Sequence, residues 1–441
     1  MAQKLASNVL SKCYAKILES LNKLINDDDF ICRHRRSPKA FIRKRCLTFR
    51  IVILLLINML KGSVQDELDH FIKAINLATI WERVVTKSAF SQARRNLDPL
   101  AFVELNDHLV RSFYNTFPNR TFMGFNLLAV DGSTVKVPHN QENIKHFGAW
   151  QTAAGPECPA ARVSQVFDVL NKITIAAVIS PKSKGERDLA SEHFLNLRPL
   201  DLVLLDRGYP AFWIFKLITN VGSNFCARIS DHQWSVVKAF KNSGQMEDTL
   251  TFTASCPARK ACRELGLNFK PIKLRLVRVA LDTGETEILI TSLLDRQSYP
   301  HDCFAELYHH RWPVEEDYNH MKHRLEIENF TGKSPLTVYQ DFHAKVLTKN
   351  LAAILAHSGQ ELVDLETATR KHKYQVNFTQ LLSKAKDTVI LFFQHDQAIN
   401  LIRKLLEIAI RSIEPVRPGR TYPRNKKVTP SRFRTSYKPI R

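Results

Sequence analysis

Hydrophobic positions along the chain change their period more than once. Up to about residue 118 they recur at helical spacing: SNVLSKCYAKILESLNKLI has one apolar face, and FRIVILLLINML is apolar nearly throughout, as a buried helix is. TKSAFSQARRNLDPLAFVEL predicts a short helix with Ser88 as its N-cap, followed by another helix. From about residue 124 the texture is that of strands. FNLLAVDGSTVKV is an apolar strand ending on Asp131, ARVSQVFDVLNKITIAAVI a hairpin turning near Leu170 to Lys172, and LDLVLLDRGY a second apolar strand again ending on an Asp, number 206. GERDLASEHFLNL, between them, predicts a helix. A strand with no polar face is buried on both sides, so its terminal carboxylate is delivered to the edge of the sheet, where ligands are met.

Residues 230–292 differ again. KLRLVRVALDTGETEILITSLL alternates apolar and basic positions around Asp282-Thr283-Gly284, which predicts a two-stranded β unit. Helical spacing returns at 301–312, 313–328, 336–357 and 377–413. The expected fold class is α/β, in a multidomain α+β chain. Its parts are a helical DNA-binding domain at 1–118, a core at 119–229 and 293–358, a β-rich insertion at 230–292, a helical region at 359–413 and a basic tail at 414–441. A chain of 441 residues fits roughly two to four domains.

Charge narrows the partner. Sixty-four Lys and Arg against forty-three Asp and Glu leave a net charge of +21, which points to a polyanion, nucleic acid before an anionic membrane. The most apolar run, Ile51 to Leu60, is about half the length of a bilayer span and is bracketed by Arg50 and Lys61, so no membrane segment is expected. No secretory leader is read at the N-terminus. Eight cysteines without a CxxC pair suit the reducing cytoplasm. In the basic run RHRRSPKAFIRKRCLTFR, Arg43, Lys44 and Arg45 are candidates for a strap along a phosphate backbone, and a solvated loop is the plainer alternative. Gln92, Arg94 and Arg95 would reach bases or phosphates if their helix entered a groove; an ordinary surface helix fits them equally well.

The chemistry concentrates in YHHRWPVEEDYNHMK. Tyr308, Arg311, Glu315 and Lys322 are separated by two, three and six residues. At about 100° per residue all four would share one helical face, although Pro313 predicts a new helix starting there and leaves that face firm only for Glu315 and Lys322. An aromatic hydroxyl, a guanidinium and an ammonium beside a carboxylate suit a surface that holds phosphates next to a metal-bound acid. Asp131, Asp206 and Glu315, from two strand ends and a later helix, form a set able to bind one or two Mg²⁺ or Mn²⁺ ions. Taken singly, Asp-Gly and Asp-Arg-Gly are also turn formers, and Glu316 and Asp317 are rivals to Glu315. Zinc is disfavoured, since His309, His310, His320 and His323 make no HExxH. Trp312 and Trp234 are candidates either for core packing or for stacking on an extruded base.

On these residues the chain resembles the insertion-sequence-4 family of bacterial DDE transposases. Tyr308, Arg311, Glu315 and Lys322 match its Y-R-E-K signature residue for residue, and AVDGST, LDRGYPAFWIFKLI, CARIS and RTYPRN match elsewhere. The resemblance implies an RNase H-like core with a mixed five-stranded sheet, interrupted by a β-rich insertion before the Glu. It also implies Mg²⁺ at Asp131, Asp206 and Glu315, with Tyr308, Arg311 and Lys322 on the phosphates of the transposon end. Its implied partners are the terminal inverted repeats, target DNA and a second copy in a synaptic dimer. Cleavage would be followed by strand transfer, with a hairpin intermediate in some members, in the nucleoid of a bacterial cytoplasm. A nuclease of the same fold that never joins strands, and a DNA-binding protein without catalysis, are the rival expectations.

Overall fold

A computed structural model describes residues 2–43, 45–58, 60–76, 83–152, 155–230, 234–280, 286–386, 388–393 and 398–417. Lys44, the turn at Asp282-Thr283-Gly284 and the tail from 418 onward lie outside these residues. The chain divides into two compact units. The first comprises residues 1–118, 135–161 and 319–441, and the second 119–134 and 162–318.

The first unit is built on the helix Pro335–Thr367, capped by Ser334, which accepts from the Thr337 N–H. The helices Ala2–Ile25, Phe49–Ile57, Leu100–Thr116 and Ala398–Arg411 belong to the same unit, so the two chain ends build one helical body. The FRIVILLLI helix is buried along almost its whole length, as an all-apolar helix must be. The long helix runs ten residues beyond the expected end at 357 because Gly359 does not break it. A Cβ there would stand 3.0 Å from the Ala409 Cβ, so glycine permits a close approach. In the C-terminal region a short ladder, Tyr374–Val376 against Ile413–Pro415, joins the expected helices.

Two expectations for residues 86–95 are corrected here. The helix Lys87–Arg94 is capped by Thr86, which accepts from the Ala89 N–H, not by Ser88. Arg94 is 2% exposed. Its guanidinium is bonded to Asp341 at 2.7 Å, Gln340 at 2.8 Å and Thr331 at 2.6 Å, which leaves it no face for DNA. A guanidinium buried in this way is held by a full set of acceptors, and the sequence of one short helix cannot show that a distant helix supplies them. Gln92 and Arg95, on the outer face, remain exposed, as do Arg43 and Arg45.

A mixed sheet lies largely in the second unit, its residues 135–136, 149–152 and 155–161 belonging to the first. Its strands are β1 (Asn126–Lys136), β2 (Ala149–Thr152), β3 (Gly155–Asp168), β4 (Ile173–Ser180), β5 (Asp201–Leu205), β6 (Asn224–Arg228), β7 (Glu247–Phe252), β8 (Ile272–Ala280) and β9 (Thr286–Thr291). They follow the order β2-β3-β1-β5-β6-β9-β8-β7, with β4 on β3. β3 and β4 are antiparallel, while β1, β5 and β6 run parallel. The turn between β3 and β4 lies at 169–172 as expected: Asp168 accepts from the Leu170 and Asn171 N–H groups, and Lys172 takes φ 58°.

This is the expected α/β class, with β4-β3-β1-β5-β6 as its five-stranded RNase H-like core, but the sheet does not end there. The insertion contributes three strands rather than two, and they extend the same sheet, β9 pairing antiparallel with β6 through Cys226↔Thr291 to Arg228↔Leu289. The free edge of β6 explains this, because an unpaired row of backbone groups accepts further strands. Two helices, Ser235–Ser243 and Cys256–Glu264, complete the insertion.

Both faces of the sheet are buried. Leu128, Val130, Val203 and Leu205 face a cluster containing Phe194, Phe212 and Phe215. Leu127, Ala129, Leu202 and Leu204 face one containing Phe304, Leu307, Tyr308 and Val314. The near-continuous apolar runs of β1 and β5 are a direct consequence.

Candidate active site

The site begins with strand register. β1 and β5 are parallel and paired through Val130↔Leu205, so the next residues of each, Asp131 and Asp206, are neighbours; Asp206 follows the end of β5 as expected, whereas β1 runs on to Lys136 and Asp131 lies within it rather than at its end. Side chains alternate along a strand, so Asp131 continues the parity of Leu127 and Ala129, and Asp206 that of Leu202 and Leu204. This is the face against which Val314, beside Glu315, is packed. Two acids separated by seventy-five positions thus meet on the side that carries the third.

The helices on that face break as Pro313 demands. One spans Cys303–His309 and the next Pro313–His323, with Glu315 in its first turn, where the helix N-terminus favours an acid. Two hydrogen bonds seat the second helix. Tyr318 donates to the Asp131 carbonyl at 2.9 Å, and Gln165 of β3 donates to Asp317 at 3.0 Å. Asp317 is therefore a buried structural acid and Glu316 points to solvent, which leaves Glu315 as the acid of this helix that faces the pair.

Electrostatics register the convergence. Burial pushes the Asp131 carboxyl up to about 6, the Gly132 N–H and Arg311 oppose the shift, and Glu315 and Asp206 add to it. Asp131 Oδ1 accepts from the Gly132 N–H at 2.9 Å. Arg311, with its side chain 6% exposed, donates to Glu315 Oε1 at 2.8 Å. Its guanidinium lies 4.8 Å from the Trp312 ring and 5.9 Å from that of Tyr308.

The remaining expected residues divide. Tyr308 is buried, with its hydroxyl 3.5 Å from the Leu205 carbonyl, and burial keeps the phenol protonated. Lys322 is half-buried, seven residues beyond Glu315 on the same helix. Trp312 is 44% exposed. Trp234 instead packs 6.1 Å from both Phe215 and Phe252, a wall of the apolar cluster rather than a free stacking platform. Sequence reasoning missed Tyr209, Tyr318 and Gln165, and weighed Asp317 only as a rival to Glu315. Tyr318 carried a signal, since it stands three residues after Glu315 on the same helix, and Tyr209 another, three residues after Asp206.

The donor set suits a hard divalent cation: three carboxylates whose mutual repulsion is felt at Asp131, with oxygen as the only donor. Among the described residues, no three His, Cys, Asp or Glu side chains stand within the grasp of a single ion. Arg311 holds Glu315 instead, supplying a positive charge where a cation would.

Residues 123–351 match a family model described as Transposase DDE domain. The chain is 24% identical over 319 residues to the Transposase InsG for insertion sequence element IS4 of Escherichia coli K12, covering 71% of each chain. It is also similar, with a TM-score of 0.41 and 10% identity, to a cryo-EM structure of the piggyBac transposase synaptic complex with hairpin DNA, over 95% of this chain and 87% of that one.

Proposed function

This chain belongs to the DDE transposase family, enzymes that act on DNA, and on that premise we propose that it cuts DNA at the ends of its own element and joins the freed 3′-OH to a target. The observation that carries the reading is the β1–β5 register, which sets Asp131 beside Asp206 on the face where the Glu315 helix packs. In this reading Asp131, Asp206 and Glu315 hold two Mg²⁺ ions, with Mn²⁺ as a substitute. When bound, the ions supply water activation and neutralise charge at the entering and leaving oxygens of an in-line displacement.

The chain's own residues do the rest. Tyr318 and Gln165 fix the Glu315 helix against β1 and β3, which keeps Glu315 on the side of the sheet that carries Asp131 and Asp206. Arg311 is paired with Glu315, and its planar fork would meet a phosphate oxygen were Glu315 to hold a cation. Lys322 extends the positive surface along the same helix, and Tyr308 supports Arg311 from below with its ring. Trp312, exposed beside Arg311, is placed to stack on an unpaired base, as a hairpin intermediate at the element end requires. Arg43, Lys44, Arg45, Gln92 and Arg95 are proposed to grip the flanking duplex, and a second copy to hold the other terminal inverted repeat.

The deciding experiment supplies purified protein with its element's ends and Mg²⁺, and separately with pre-cleaved ends and target DNA. Cleavage followed by joining supports a transposase. Cleavage without joining marks a nuclease of the same fold, and neither activity marks a DNA-binding protein alone.

A further inference from the structure

The carboxylate chemistry leaves one buried group beside the site without a role. Tyr209 is 3% exposed, yet among the described residues its hydroxyl has no hydrogen-bond partner. A buried polar group without a partner is costly and is retained where it acquires one in function. Three carboxylates bear on this hydroxyl, Asp131 ahead of Glu186 and Asp206, and burial first, then these charges, keep its proton in place as a donor. A Cβ built on Gly132 would lie 3.5 Å from the Tyr209 oxygen and 3.4 Å from the Glu186 carboxyl carbon. Phenol and carboxylate therefore converge over the backbone next to Asp131, in space that a glycine leaves open. Asp131 Oδ1 accepts from the Gly132 N–H and the Asp131 carbonyl from Tyr318, and the carboxylate keeps acceptor capacity for a further donor.

We propose that Tyr209 is a positioning residue that acts through Asp131, donating a hydrogen bond from its hydroxyl to the Asp131 carboxylate and fixing that group's orientation toward a bound cation. Glu186, across Gly132, is the alternative acceptor, and the test separates the two. The proposal rests on the reading that Asp131 is a metal ligand.

The test uses the full-length chain and measures Mn²⁺ affinity from the free-ion electron paramagnetic resonance signal, without DNA or turnover. Nicking of an end duplex is followed in parallel. Asp131→Asn sets the scale and is expected to lose most Mn²⁺ affinity. Tyr209→Phe, which removes only the oxygen, is expected to weaken Mn²⁺ binding by about tenfold. Its kcat should fall at limiting Mn²⁺ and recover at saturating Mn²⁺, while KM for DNA stays unchanged, a split that a purely structural role would not produce. Glu186→Gln is expected to bind Mn²⁺ as the unaltered protein does. Should Tyr209→Phe fail to fold, Tyr209→Met, which fills similar space without the hydroxyl, is expected to show the same loss. Unchanged Mn²⁺ affinity in a folded Tyr209→Phe, or an equal loss in Glu186→Gln, overturns the proposal. Unchanged affinity in Asp131→Asn overturns the carboxylate reading itself, and the Tyr209 role with it.

Discussion

Asp131 should cost the protein stability, and replacing it with Asn should return that stability. Its carboxyl is raised from 3.8 to about 6, chiefly by burial, with Glu315 and Asp206 adding to the shift. A carboxyl raised in the folded state favours folding while protonated, below about 3.8, and that advantage is lost as pH rises through about 6. Relative to a neutral Asn, the charged form is then a penalty that grows between these values and is constant above them. Two units at about 1.4 kcal/mol each give about 3 kcal/mol as an upper bound. Partial exposure and solvent screening reduce this to about 1–2 kcal/mol. For a unit of this size that is a rise in Tm of about 2–8 °C. Scanning calorimetry of Asp131→Asn and the unaltered chain in chelator at pH 8 should show the variant melting higher, with a smaller gap at pH 5. Added Mg²⁺ should raise the Tm of the unaltered chain and leave the variant unmoved. A variant no more stable at pH 8, or a gap that does not shrink at pH 5, would refute the claim that Asp131 is held as a desolvated charge among other acids.

Glu315→Gln should abolish nicking while end binding, followed by gel shift, stays within about twofold; nicking at the normal rate would remove Glu315 from the acid set. Lys322→Ala should weaken end binding and reduce the slope of log K against log salt by about 1, and an unchanged slope would mean that it meets no phosphate. Arg94→Ala should destabilise the helical unit by about 3–5 kcal/mol in denaturant unfolding, because it strands a buried Asp341, and the double change with Asp341→Asn should recover part of the loss. A small effect of Arg94→Ala on stability, with a large one on DNA affinity, would restore the DNA-contact role that burial rules out.

Much of this protein is written locally. The apolar runs of β1 and β5, the break at Pro313 and the turn at Leu170 to Lys172 all follow from short-range sterics and from the burial that an unrelieved hydrophobic strand demands. Asp131 and Asp206 stood out as candidates because each follows an apolar run, although Asp-Gly and Asp-Arg-Gly are turn formers as well. What the sequence could not decide was pairing between distant segments. The Val130↔Leu205 register, the growth of the sheet by three further strands, and the burial of Arg94 by residues 237 to 247 positions away depend on which surfaces meet in space. The same holds for Trp234, drawn into an aromatic cluster, and for Tyr209, left facing Asp131 without a partner among the described residues. Local propensity acts over a few bonds, whereas burial and charge are properties of the assembled surroundings, and only the tertiary structure sets those.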